Sequence, residues 1–255
     1  MKARTISGAI VLAIFALITY FGSIPFLIMS LIIGLGSLFE IYRVMGIEKK
    51  PYTILSYLAI IAIYVIGYFN NVTFIAPIIF VIVYLIIIVI RFDHITLHKN
   101  AIAFIAIFYV GGFSYCMYRL RMMDDGIYNI CLVFASSWCS DIGAYLIGSV
   151  AGKHHPFPNL SAKKSIEGCI GGLFSSVLFG IITALIFKRA VINATIICLI
   201  GSVFSQVGDL AASAIKRKFR AKDYGKLIPG HGGLLDRFDS MLFVSAVFYV
   251  LLNIL

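Results

Sequence analysis

Three acidic side chains in the C-terminal part of the sequence have the type and spacing of a metal site. Asp209 lies in one apolar segment, and Asp236 and Asp239 open the next, three residues apart and therefore on one face of a helix. Carboxylate oxygens are the ligands that Mg²⁺ prefers. Two acids at a helix start could instead only complement its dipole. The pattern predicts a magnesium site of Asp209, Asp236 and Asp239, with Asp141 as a further candidate ligand.

The segment 213–239 adds cations and glycines to these acids. It holds seven Lys and Arg residues and the run Pro-Gly-His-Gly-Gly, shortly followed by Asp-Arg-Phe-Asp. Cations bind phosphate groups, and backbone N–H groups of glycines can cradle phosphate. A solvated charge run beside a membrane would explain the lysines alone, but not the glycine run. The candidate catalytic and binding residues are Ser213, Lys216, Arg217, Lys222, His231, Gly232, Gly233 and Arg237.

Two upstream features could belong to the same site. Asp141 lies in an apolar segment, where an ionisable group is costly and is usually retained for function. It could contact a nucleotide or a metal, or it could only bond to neighbouring helices. Lys163 and Lys164 follow in a connection, where lysine is a compact phosphate binder. Their alternative role is to mark a cytoplasmic loop by positive charge.

The elements that position these residues are membrane helices. The chain has 255 residues, of which 61% are apolar and 13% charged, whereas soluble proteins average about 25% charged. Apolar runs of about 20 residues recur. The sequence therefore predicts an all-α, polytopic integral membrane protein with about nine transmembrane helices. The predicted spans are residues 6–21, 24–42, 53–69, 72–90, 101–118, 127–147, 169–187, 190–212 and 235–254.

The Lys and Arg residues predict the orientation of these spans. With a cytoplasmic N-terminus, cytoplasmic segments carry 17 of the 21 Lys and Arg residues, as the positive-inside rule requires. The net charge of +10 then reflects topology and lipid contact, and no nucleic-acid partner is expected. The segment 213–239 falls on the cytoplasmic side.

The two halves of the chain differ in composition. Residues 1–100 consist of nearly uniform apolar spans and are predicted to be scaffold helices, whereas 101–255 collect small and polar residues and form the predicted catalytic region. Small residues in the seventh span could pack within or between subunits, and we expect a homodimer. A polar stripe on the eighth span is expected to line a water-filled cavity. The stripe is Ser202, Ser205, Gln206, Asp209, Ser213 and Lys216.

The segment 213–239 resembles the signature of the phosphatidate cytidylyltransferases, or CDP-diacylglycerol synthases. Residues 140–145 and 163–168 are also similar to that family, so the motif-level resemblance covers about 138–240. It implies transfer of the cytidylyl group of CTP to phosphatidate, which yields CDP-diacylglycerol and pyrophosphate. It also implies a bacterial inner-membrane protein whose active site faces the cytoplasm. The matched signature positions include Ser213, Lys216, Arg217, Lys222, Asp223, Pro229, His231, Gly232, Gly233, Asp236, Arg237 and Asp239.

The resemblance also implies roles for single residues. Mg²⁺ would be the cofactor, with a monovalent cation such as K⁺ as a further candidate. Because the phosphate of phosphatidate is already an anion, the reaction needs positioning and charge neutralisation more than a general base. His231 is then expected to order its loop, with proton transfer or pyrophosphate contact as the alternative. The residues expected to hold the triphosphate and the lipid phosphate are Lys163, Lys164, Lys216, Arg217, Lys222 and Arg237.

Other functions fit parts of the same pattern. A CTP-dependent polyprenol or lipid kinase, or a cytidylyltransferase for another lipid phosphate, would use similar cations. A secondary transporter could bury Asp141 and Asp209 along a polar path, but transporters usually contain inverted repeats. The two halves of this chain are dissimilar, so an enzyme is expected.

Overall fold

The computed structural model describes residues 2–48, 50, 52–69, 81–82, 86, 97–225, 227 and 232–254. Within these residues every regular element is helical, which confirms the predicted all-α class. Two π-helical turns, Ile107–Gly112 and Ala135–Cys139, join α4 to α5 and α6 to α7. The helices are α1 (Lys2–Phe21), α2 (Ser23–Met45), α3 (Tyr52–Phe69), α4 (Leu97–Ala106), α5 (Phe113–Met122), α6 (Gly126–Phe134), α7 (Ser140–Ala151), α8 (Ile166–Ile186), α9 (Val191–Lys218) and α10 (Leu235–Ile254).

The lengths of these helices suit a bilayer. Six helical segments of the described chain are long and apolar enough to cross a membrane, and two shorter apolar helices accompany them. Eight of the nine predicted spans coincide with these helices, which confirms a polytopic membrane protein. The remaining span, 72–90, lies largely outside the described residues. The number nine and the cytoplasmic N-terminus stay predictions.

Local sequence explains several helix ends. The hydroxyl of Ser165 accepts a hydrogen bond from the N–H of Gly168 at 3.1 Å and so caps α8. α2 ends at Met45 and is capped by Gly46, whose φ of 66° is left-handed and suits glycine. Arg121 donates to the carbonyl oxygen of Thr19 at 2.7 Å, which places a cation at the C-terminal end of α1. This contact fixes α1 against the end of α5.

Small residues let α8 approach α7 closely. A Cβ atom at Gly168 would lie 2.8 Å from the carbonyl oxygen of Ala144, and one at Gly172 would lie 2.9 Å from that of Ser140. The hydroxyl oxygens of Ser140 and Ser202 lie 2.7 Å apart, which links α7 to α9. The small residues of α8 thus pack within one chain, and the homodimer stays a prediction without their support.

The N-terminal helices pack directly on the C-terminal ones. α2 contacts α5 and α10, and α1 contacts α2 and α6. Phe15 of α1 is buried in an aromatic group with Phe26, Trp138 and Phe238, at centroid distances of 6.3, 5.8 and 6.1 Å. Helices of the predicted scaffold therefore form part of the surroundings of the candidate site.

Candidate functional site

Acidic side chains from three helices lie near enough to one another to interact electrostatically. Asp141 is in the first turn of α7, Asp209 lies in α9, and Asp239 lies in the second turn of α10. The carboxylates of Asp141, Asp209 and Asp239 interact electrostatically as like charges. A cation would relieve this repulsion, and their oxygens are suitable donors for a hard divalent ion.

A cavity of about 250 Å³ lies against Asp141 and Asp239. Its polar wall comes from α7 and α10 and includes Asp141, Asp236 and Asp239. Trp138 and Arg237 also line it, and the indole N–H of Trp138 donates to the carbonyl oxygen of Arg237 at 3.2 Å. Residues of α1 close the apolar side. The structure therefore brings four predicted site residues to a single cavity.

Two lysines predicted to bind phosphate form ion pairs with two predicted acids. The ammonium of Lys216 lies 2.7 Å from Oδ1 of Asp236, and the two side chains are only 11% and 5% exposed. The ammonium of Lys164 lies 2.6 Å from Oδ2 of Asp209 and so connects the loop before α8 to α9. These pairs hold two cations beside the acidic cluster in fixed positions.

Asp236 also holds the basic segment in place. Its Oδ2 accepts hydrogen bonds from the backbone N–H of Tyr224 at 2.8 Å and of Gly233 at 2.9 Å. Gly232 beside it has a φ of 89°, a conformation that favours glycine. Both oxygens of Asp236 thus have partners within the protein. Its role as a metal ligand stays a prediction.

Glu40 of α2 is a site residue that sequence reasoning missed. Its two carboxylate oxygens accept hydrogen bonds from the N–H groups of Leu234 and Leu235, each at 2.8 Å, and the residue is 5% exposed. It therefore satisfies two free N–H groups at the start of α10. A Cβ atom at Gly233 would lie 2.5 Å from either oxygen of Glu40. The sequence did contain a signal for Glu40, namely an acid inside an apolar span. The same signal was the reason for selecting Asp141.

Tyr224 ties the basic segment to α9. Its hydroxyl donates to the carbonyl oxygen of Ala212 at 2.8 Å, and the ammonium of Lys216 lies 5.2 Å from its ring centroid. Burial raises the pKa of the Tyr224 phenol, and the nearby charges of Asp239 and Asp236 raise this pKa further. The phenol therefore stays protonated and acts as a donor.

The polar stripe on α9 contacts neighbouring segments. Gln206 donates to the carbonyl oxygen of Cys169 at 3.0 Å, and Ser202, Asp209 and Lys216 have the partners described above. The walls of the 250 Å³ cavity come from α1, α7, α10 and the turn at Trp138. No residue of the stripe lines this cavity, so a water-filled cavity along the stripe stays a prediction. Through Asp209 and Lys216 the stripe instead holds the neighbouring loop segments.

Several predicted residues lie at the edge of this arrangement. Lys163, Arg217 and Lys222 are exposed, and Arg217 donates to the carbonyl oxygen of Ala221 at 3.2 Å. Ser213 is half-buried on α9, and His231 lies outside the described residues. Within the described part of the chain, no three Asp, Glu, His or Cys residues form a ready metal centre. The predicted triad of Asp209, Asp236 and Asp239 is therefore not assembled there.

The chain resembles known proteins along its whole length. Residues 2–255 match the model of the cytidylyltransferase family. A phosphatidate cytidylyltransferase of Staphylococcus haemolyticus is 34% identical over 260 residues, which cover 99% of each chain. One of Bacillus subtilis is 31% identical over 99% of this chain and 97% of its own. One of Staphylococcus aureus (strain COL) is 43% identical over 156 residues, 60% of this chain and 58% of its own.

Proposed function

Because the chain belongs to the cytidylyltransferase family, we propose that it forms CDP-diacylglycerol and pyrophosphate from CTP and phosphatidate. Two relatives that it matches over nearly their full length are named phosphatidate cytidylyltransferase. The observation that carries the proposal is the cavity where Asp141, Asp236, Arg237 and Asp239 meet the apolar side of α1. The cavity offers charged groups for a nucleoside triphosphate beside an apolar surface for the lipid.

The reaction joins two phosphates, and its bonds balance without a base. A phosphate oxygen of phosphatidate forms a bond to the α-phosphorus of CTP, and the bond from that phosphorus to the oxygen bridging to the β-phosphorus breaks. Pyrophosphate leaves with that bridging oxygen. Since the nucleophile is already an anion, the protein has to align it and neutralise charge.

The cations beside the acidic cluster suit this task. Lys216 and Lys164 are held within 2.7 Å of carboxylates and can turn toward phosphate oxygens. Arg237 lines the cavity and would hold the triphosphate or the lipid phosphate. The exposed residues Lys163, Arg217 and Lys222 would bind the outer phosphates, together with Ser213 of α9 and with Gly232 and Gly233 before α10.

The donor chemistry at the cavity suits Mg²⁺. We propose that Asp239 and Asp141, which line the cavity, would hold it together with phosphate oxygens of CTP, since three acids of the described residues do not form a metal centre by themselves. Asp209 would join them only by leaving its ion pair with Lys164. When bound, Mg²⁺ would neutralise charge on the phosphates. Asp236 would become a ligand only by releasing partners that it now holds. K⁺ stays a predicted second cation.

The proposed setting follows from the apolar helices and the distribution of charge. The chain would lie in a bacterial inner membrane with its N-terminus and its site on the cytoplasmic side, where CTP is available. Lipid phosphate would enter from the bilayer. A homodimer stays part of the proposal, and no nucleic-acid partner is expected.

Pyrophosphate release tests the proposal. Purified protein in detergent receives CTP, dioleoyl phosphatidate and Mg²⁺, and each component is omitted in turn. The proposal predicts release that requires all three and fails when ATP replaces CTP. Release of a nucleoside diphosphate would instead identify a lipid kinase, and absence of turnover would favour a transporter.

A further inference from the structure

Two apolar grooves extend from the polar cavity along α1. The first, of about 440 Å³, lies between α1 and the helices α6 and α8 and reaches the turn just before Asp141. The second, of about 620 Å³, lies between α1 and α2 and reaches Leu234 and Phe238 beside Asp236. Each groove therefore begins at one of the two segments that supply acids to the cavity.

The residues of α1 divide the two grooves. Leu12 and Ala16, four residues apart, face the first groove, whereas Ile14 and Ile18 face the second. Phe15 lines both and is 5% exposed. Its ring is held between Trp138 and Phe238. Phe15 thus forms a fixed ridge between the two grooves, next to the cavity.

The grooves are continuous with the polar cavity. Leu12 lines both the cavity and the first groove, and Val11 lines both the cavity and the second. The second groove is lined by apolar side chains alone, and in the first the hydroxyl-bearing side chains are those of Thr19, Tyr20 and Thr183. A molecule with one anionic head and two apolar chains matches this forked shape.

We propose that the two grooves take the two acyl chains of the lipid phosphate, one on each side of Phe15, while its phosphate lies in the cavity. This inference rests on the proposed function and adds to it a separate groove for each acyl chain. A polyprenyl phosphate has a single chain and would fill only one groove. The fork therefore favours phosphatidate among the lipid phosphates considered above.

A bulky side chain in the first groove tests the proposal. Ala16→Phe narrows this groove, and Ala13→Phe is the matched control because exposed Ala13 lines neither groove. For dioleoyl phosphatidate, kcat/KM of Ala16→Phe is expected to fall about tenfold below that of Ala13→Phe. Loss of the room for one methylene group of the substrate in an apolar pocket already lowers kcat/KM by about this factor. For dioctanoyl phosphatidate the two variants should be nearly equal, with the same KM for CTP.

A second pair of variants tests the other groove. Ile28→Trp places a large ring in it, and Ile10→Trp is the control on an exposed position outside both grooves. The substrates are the two mixed phosphatidates with one oleoyl and one octanoyl chain in either order. Ala16→Phe should select against one isomer and Ile28→Trp against the other.

The outcomes separate this inference from the proposed function. If the unsubstituted protein makes no CDP-diacylglycerol, the proposed function fails. If it does, but both variants discriminate against the same isomer or against neither, the assignment of one chain to each groove is wrong. An equal loss for long and short chains, together with a changed oligomeric state on size exclusion, would instead assign this face to a second copy of the chain.

Discussion

Asp236 accepts hydrogen bonds from Lys216, Tyr224 and Gly233, so the order of the basic segment depends on its carboxylate. Sequence reasoning selected Asp236 because it shares a helix face with Asp239. It did not find the partners, because they lie 12 and 20 residues away in Tyr224 and Lys216 and are brought together only by the fold of the loop. Residue types could be predicted from the sequence, whereas their pairing could not.

Asp236→Asn separates the charge of this residue from its shape. The amide keeps an oxygen for the N–H groups of Tyr224 and Gly233 but loses the ion pair with Lys216. We expect a folded protein whose kcat falls about 100-fold, a loss typical of removing one preorganised electrostatic group. The control is Asp124→Asn, at an exposed position before α6 that is distant in sequence from Asp236. Retention of half of the activity by Asp236→Asn would contradict this role.

Lys164 and Lys163 form a natural matched pair. Lys164 contacts Asp209 at 2.6 Å, whereas the neighbouring Lys163 is exposed. Lys164→Ala is expected to lower kcat/KM for CTP about tenfold more than Lys163→Ala, as expected for one charge-assisted hydrogen bond. Steady-state kinetics at varied CTP measure the ratio. Equal losses would show that the ion pair has no special part.

At the scale of elements, the contact of Glu40 with the start of α10 joins residues 194 and 195 positions apart. Apolar runs predicted nine spans, because about 20 apolar residues suffice to cross a bilayer, and eight of them coincide with described helices. The same runs carry little information on which helices meet, since lipid-facing and protein-facing positions are equally apolar. This is why the role of α2 in the site appeared only in the structure.

Glu40→Ala tests the link between α2 and α10. It leaves two buried N–H groups unpaired, each of which costs about 1–3 kcal/mol. We expect a lower free energy of unfolding and a large loss of kcat, with a smaller effect for Glu40→Gln, whose one oxygen can still accept. Thermal unfolding in detergent and turnover measure both. The control is Glu48→Ala beyond the end of α2, and a Glu40→Ala protein that matches it would refute the link.

Gly233→Ala tests the same contact from the other side. The added Cβ would lie 2.5 Å from both oxygens of Glu40, so this carboxylate or the start of α10 must shift, which disturbs the hydrogen bonds from Leu234 and Leu235. We expect kcat to fall by about tenfold, since small displacements at a reacting centre are costly. Gly112→Ala is the control, because a Cβ there would meet nothing within 4 Å. Similar activity of the two variants would show that this close approach is unimportant.

At the scale of the whole molecule, charge and hydropathy predict on which side of the membrane the site lies. The connection that carries Lys164 pairs with Asp209, and Lys216 pairs with Asp236. The positive-inside rule predicts that this connection and the segment 213–239 are cytoplasmic. The orientation of the chain could be predicted from the sequence, because the prediction depends only on counting Lys and Arg residues between the spans.

Cysteine labelling tests this orientation. In a protein with the five native cysteines replaced, Lys163→Cys should react with a membrane-impermeant maleimide in inverted vesicles and not in intact cells. Lys188→Cys, exposed in the predicted external connection between α8 and α9, should show the opposite pattern. Labelling of both residues from the same side would contradict the predicted topology.

The central claim is transfer of a cytidylyl group, and the fate of labelled phosphate tests it most directly. Purified protein receives phosphatidate and Mg²⁺ with CTP labelled at either the α- or the γ-phosphorus, and the lipid product is separated. Cytidylyl transfer places label from the α-phosphorus in the lipid and label from the γ-phosphorus in pyrophosphate. Label from the γ-phosphorus in the lipid would contradict it and identify a kinase.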